Sequence, residues 1–187
     1  MNNFHFSSAL MALIFLTGCG IFVPSDDWNR DGTRTERTDN ERPRNTGNND
    51  RYSGDGTETL RNQIINDAAS LIGTKYRYGG VNPSSGMDCS GLMNYVFQNV
   101  GITLRRSSRE QVKDGENIRK RDARPGDLVF FSKGGQVFHV ALIVDYDGED
   151  RMEVIHSTSS KGIIRQEILN NSYWTPKISS YRNVIGG

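Results

Sequence analysis

Cys89 carries the strongest chemical signal in the chain. It stands between Asp88 and Ser90, directly before Gly91-Leu92-Met93-Asn94-Tyr95-Val96-Phe97. Leu92, Val96, Phe97 and Val100 recur at helical spacing, and Gly101 stands where a helix C-terminus favours a left-handed residue. Asp88 or Cys89 is therefore expected at a helix N-terminus. Backbone N–H groups there lack partners, and the helix dipole favours negative charge. The thiol is expected to ionise more easily than a free one and to act as a nucleophile. The competing reading is a small apolar residue that packs a helix start.

The chain has three histidines, His5, His139 and His156. His5 falls in an N-terminal leader. His139 opens the apolar run HVALIVDY, and His156 ends MEVIHS. If these two runs pair as a hairpin, the rings approach each other near one end of the sheet. A helix N-terminus packed against that end brings Cys89 to them. The chemistry this permits is acyl transfer. A thiolate attacks an acyl carbon, an imidazole holds the proton and returns it to the leaving amine, and a third polar group orients the imidazole. Cys89 is assigned as nucleophile, His139 as base and acid, and His156 as orienter. A cysteine with two histidines also suits a metal ion, but no fourth ligand is evident. No metal and no other cofactor is expected.

The elements that must position these residues are legible in the periodicity. Leu60, Ile64, Ile65, Ala68, Leu71 and Ile72 form one helical stripe that Gly73 ends. The Gly-, Ser- and Asn-rich stretch that follows is expected to be a loop delivering the chain to Cys89. After the Cys89 helix, Ser107 and Glu110 stand in a capping-box pattern for a short third helix. Strands are expected over residues 127–131, 137–146, 152–157, 163–169 and 178–185. Helices first and strands joined by short turns afterwards imply an α+β fold, with N-terminal helices packed on an antiparallel sheet of five to six strands.

An ordered set of short motifs runs through this region. It comprises Tyr76-Arg77-Tyr78-Gly79-Gly80, Asp88-Cys89-Ser90-Gly91, residues 104–111, Arg124-Pro125-Gly126-Asp127-Leu128, His139-Val140 and His156. The set resembles the NlpC/P60 family of papain-like cysteine peptidases. The resemblance implies a bacterial cell-wall hydrolase that cuts amide bonds in peptidoglycan stem peptides, and it agrees with the roles given to Cys89, His139 and His156. It also implies that the Tyr76 hydroxyl and the Cys89 N–H stabilise the oxyanion. Asp88, Ser90, Ser107 and Ser108 match positions that bind the stem peptide, and Arg106 is a further candidate for an anionic stem. Where the family carries Leu-Pro-Arg, this chain has Leu104-Arg105-Arg106.

The N-terminal part reads differently. Residues 9–16 are apolar, too short for a membrane span and suited to a signal-peptide core. Leu16-Thr17-Gly18-Cys19 resembles a bacterial lipobox. That resemblance implies removal of residues 1–18 and lipidation of Cys19, with Gly20 leaning towards the outer membrane and a domain facing the periplasm. Residues 19–56 then form a polar, charge-mixed tether with too little apolar surface to fold. As a coil it would reach roughly 30–40 Å. Residues 57–187 form the catalytic domain. The net charge of +1 argues against a nucleic-acid binder. The expected partners are stem peptides and, through the anchor, a membrane; the domain is expected to act as a monomer. The alternative from another class is a non-catalytic module that binds wall peptide.

Overall fold

The computed structural model describes residues 50–186, with side chains from Gly56 onward. The leader, Cys19 and most of the expected tether lie outside the described residues.

Helix α1, Asp50–Ser70, opens ahead of the expected start at Thr57. Polar residues extend a helix readily once it is nucleated, because propagation needs one backbone bond per residue and no core contact. The helix turns its stripe inward at Ile64 and Ala68, both fully buried, whereas Ile72 is 47% exposed and lies beyond the helix end. Gly73 stops it at φ +92°, and its N–H donates to the Ile163 carbonyl at 2.9 Å. The same glycine thus ends the helix and ties it to the sheet.

The expected loop contains a two-stranded hairpin, β1 (Val81–Asn82) with β2 (Gly86–Met87). Helix α2, Cys89–Gln98, follows, then the short α3, Ser108–Gln111. Glu110 accepts from both the N–H and the hydroxyl of Ser107, as the capping pattern implied.

Six strands form the main sheet: β3 (Glu116–Ile118), β4 (Leu128–Lys133), β5 (Gln136–Tyr146), β6 (Met152–Thr158), β7 (Gly162–Glu167) and β8 (Ile178–Asn183). Their spatial order is β3-β8-β4-β5-β6-β7, and every pairing is antiparallel. Sequence periodicity missed β3. Strands alternate their side chains between faces, and here both faces are covered. Leu128, Phe130, Val140, Leu142 and Ile155 join Ile64, Leu92, Met93, Val96 and Phe97 in a core between the helices and the sheet. Val129, Phe131, Ala141, Ile143 and Val154 form a second core with Trp174 and Tyr181. The fold is α+β, with helices packed on one face of an antiparallel sheet.

A buried ion pair joins α1 to the sheet. Arg61 donates to Asp127 at 2.8 Å, to the Pro125 carbonyl at 2.7 Å and to Asn183 at 3.2 Å. Gly126 sits at φ +93°, and a Cβ there would lie 2.9 Å from the Arg61 side chain. The Arg-Pro-Gly-Asp motif is thus the seat of this guanidinium. Burial outweighs the Arg61 contact and pushes the Asp127 carboxyl up from the usual carboxylate range.

Candidate active site

Asp88 caps α2 and Cys89 is its first residue. Asp88 Oδ1 accepts from the Gly91 N–H at 2.6 Å and the Ser90 hydroxyl at 3.0 Å, while Oδ2 accepts from the Gly79 N–H at 2.9 Å. The approach to Cys89 is held from three sides. The Met87 N–H donates to the Lys75 carbonyl, the Asp88 N–H donates to the Gly80 carbonyl, and the Ser157 hydroxyl on β6 donates to the Met87 carbonyl at 2.7 Å. A Cβ at Gly91 would stand 2.0 Å from the Gly80 oxygen, so α2 can approach this turn only with glycine there.

His139 lies on β5 beside a β-bulge. Phe131 pairs with His139 and Ser132 with Val137, which leaves Phe138 as the extra residue. Bulges re-aim side chains and gather next to active sites. This one lets Val137 pack against the helix-side core while His139 packs against the aromatic rings of the second core. His139 Nε2 lies 3.0 Å from His156 Nδ1. His156 Nε2 in turn lies 3.1 Å from Gln166 Oε1, which also accepts from Trp174 Nε1 at 3.3 Å. The Trp174 ring backs both histidines, with centroids 4.8 Å and 5.0 Å away. The hairpin expected from the sequence is therefore present, and it brings the two imidazoles into contact.

The Cys89 sulfur faces β5, where the Val140 N–H donates towards it. Cys89 and His139 line one cavity of about 540 Å³, together with Tyr76, Phe138, Gln166 and Trp174. A second cavity of about 590 Å³ meets the first at Tyr76, Cys89 and Phe138, and extends over Asp88, Ser90, Arg106, Ser107 and Ser108. The expected substrate-binding residues thus line one wall. Arg106 is already engaged there, donating to Ser90 Oγ at 3.1 Å and to Asp88 Oδ2 at 3.3 Å. Among the described residues, no group of three or more His, Cys, Asp or Glu side chains is arranged to hold a metal ion.

The electrostatics correct one expectation. The Cys89 thiol is not made more acidic; burial pushes it up to about 11. Hydrogen bonds from the Val140, Ser90 and Cys89 N–H groups act in the expected direction, but desolvation of the buried sulfur outweighs them. Burial, and then the neighbouring His156, pushes His139 down to about 3, and burial pushes His156 down to about 4 despite the Gln166 hydrogen bond. Both rings are neutral at neutral pH. The Tyr76 phenol is raised by burial and then by facing Cys89 and Asp88.

Sequence reasoning missed Gln166, Trp174 and Phe138. Gln166 did leave a signal: it shares alternation with Ile164 and Ile168, so it is a polar residue at an inward position of a strand. Nothing local marks Trp174 or the bulge.

Comparison with known proteins agrees with this architecture. The sequence pattern of the NlpC/P60 family matches residues 73–183. The chain is 39% identical over 122 residues to a gamma-DL-glutamyl hydrolase of Bacillus subtilis, covering 63% of this chain and 28% of that protein. It is 32% identical over 127 residues to the murein DD-endopeptidase MepS/murein LD-carboxypeptidase of Escherichia coli K12, covering 67% of this chain and 64% of that protein. The chain therefore spans less than two thirds of the length of these curated relatives. Among solved structures, an NlpC/P60 family protein from Bacillus cereus superposes with a TM-score of 0.60 at 27% identity, covering 67% of this chain and 40% of the other. By sequence pattern, and in agreement with its fold, this chain belongs to the NlpC/P60 family.

Proposed function

We propose that the protein is a cysteine endopeptidase that hydrolyses amide bonds of peptidoglycan stem peptides. The observation that carries this reading is the meeting of two cavities at Cys89, with a hydrogen-bonded His139–His156–Gln166 chain on one side. An endopeptidase needs room on both sides of the scissile bond. The wall around Asp88, Ser90 and Arg106 suits the acyl side. On the other side Ser159, Ser160 and Lys161 line the cavity and offer donors to an anionic leaving segment. In the reaction, His139 takes the thiol proton as the sulfur attacks the carbonyl carbon. The oxyanion is met by the Cys89 N–H and the Tyr76 hydroxyl, and the proton passes to the leaving amine. Water then releases the acyl group.

Two bonds remain as targets here: the γ-D-glutamyl–diamino acid bond within a stem and the cross-link between stems. We also propose that Cys19 is lipidated and holds the enzyme at the cell envelope, facing the periplasm. The test is digestion of purified sacculi with mass spectrometry of the released fragments. Wild type releases peptides with one defined new terminus, Cys89→Ala and His139→Ala release none, and His156→Ala releases fewer. Undiminished release by Cys89→Ala overturns the covalent mechanism, and binding without release by wild type favours the non-catalytic module. Cys19→Ala is expected to leave the membrane fraction.

A further inference from the structure

We infer that Gln166, oriented by Trp174, is a positioning residue that sets the tautomers of both site histidines and leaves His139 Nδ1 as the basic nitrogen. The inference rests on the peptidase reading for its kinetic consequence, but its chemical content stands on geometry alone.

One atom beside the histidines has a fixed role. An indole N–H only donates. The atom 3.3 Å from Trp174 Nε1 must therefore be the Gln166 carbonyl oxygen and not its amino group. The opposite orientation would set two donors face to face in a half-buried place. With the amide so oriented, Oε1 is an acceptor for His156 Nε2 at 3.1 Å, so that nitrogen carries the hydrogen. A neutral imidazole has one donor and one acceptor nitrogen, which makes His156 Nδ1 the acceptor. His139 Nε2, 3.0 Å away, must then be the donor. What remains on His139 is Nδ1 with its lone pair, on a ring that lines the same cavity as Cys89.

The alternative tautomer of either ring breaks the chain. With hydrogen on His156 Nδ1, two donors would meet across 3.0 Å, or His139 would carry its hydrogen on Nδ1 and have no lone pair for the thiol proton. Both rings are buried, His156 fully and His139 to 7% exposure, so water does not readily supply the missing bond. A carboxamide does not accept the proton, so Gln166 orients the rings without relaying charge. Once Nδ1 takes the thiol proton, the His139 Nε2–H stays bonded to His156, and the developing cation is supported in place. Orienting partners of this kind change function by about 10- to 100-fold when removed in metal sites that use the same logic.

The experiment pairs kinetics with nitrogen NMR of the ring atoms in the full chain. Ring 15N shifts of wild type are expected to show protonated Nε2 on both histidines and a bare Nδ1 on His139; a protonated His139 Nδ1 at neutral pH overturns the inference whatever the kinetics. Gln166→Met, similar in shape but without the acceptor, is expected to lower kcat about 10- to 100-fold with little change in KM and to give mixed tautomers. Gln166→Glu keeps an acceptor towards both donors and is expected to retain the wild-type tautomer pattern and most of kcat. Equal kcat and equal spectra for Gln166→Met and wild type also overturn it. If wild type cleaves no wall peptide, the peptidase reading fails, while the spectra still decide the tautomers.

Discussion

Cys89 and His139 are each placed where a charge standing alone is disfavoured. Burial holds the thiol near 11 and the imidazole near 3. Moving the proton from sulfur to nitrogen creates two opposite charges together, and each offsets the other's desolvation. On the peptidase reading proposed above, the imidazole therefore acts as sulfur attacks, and this gives a pH signature. In His139→Phe the proposed proton acceptor is gone while burial still raises the thiol, so its thiolate fraction is expected to grow only at high pH. Alkylation of that variant by iodoacetamide is expected to be slow at pH 7 and to climb about tenfold per pH unit. Wild type is expected to react faster at pH 7 with a shallower slope, and superimposable profiles would mean that His139 takes no proton from the sulfur. The placement of these residues was legible in the sequence: the two histidines lie in strands β5 and β6, and the cysteine opens helix α2. Its ionisation was not, because desolvation depends on how many groups crowd the sulfur, and spacing does not report that.

Elements explain how the sulfur is aimed. The first turn of α2 leans on the Gly79-Gly80 turn so closely that Gly91 has no room for a methyl group. Gly91→Ala is expected to push the Gly80 carbonyl aside, cost about 1–3 kcal/mol of stability as overpacked sites do, and lower kcat by shifting Cys89. Thermal melting and turnover on one substrate measure the two effects separately. Helices α1 and α2 were legible because their stripes are long enough to show a period, and the capping pattern at Ser107 marked α3. The hairpin of β1 and β2 and the short β3 were not, since strands of two or three residues carry no period. The Phe138 bulge was hidden for a related reason: it exists only in the pairing of β5 with β4.

At the scale of the whole molecule, the Arg61–Asp127 pair fastens α1 to the end of the sheet, with side chains only 3% and 1% exposed. Asp127→Ala would leave a buried guanidinium without its counter-charge. A loss of about 3–5 kcal/mol is expected, read as a lower denaturant midpoint, whereas Asp127→Asn keeps an oxygen acceptor for Arg61 and should lose less. The order of the strands has a further result. Strand β8 slots between β3 and β4, and the segment leading into it from β7 carries Trp174. Until that closing stretch docks, β3 has no neighbour and the indole that steadies Gln166 is elsewhere. On the peptidase reading proposed above, the oriented base is therefore complete only once the last strand has joined the sheet.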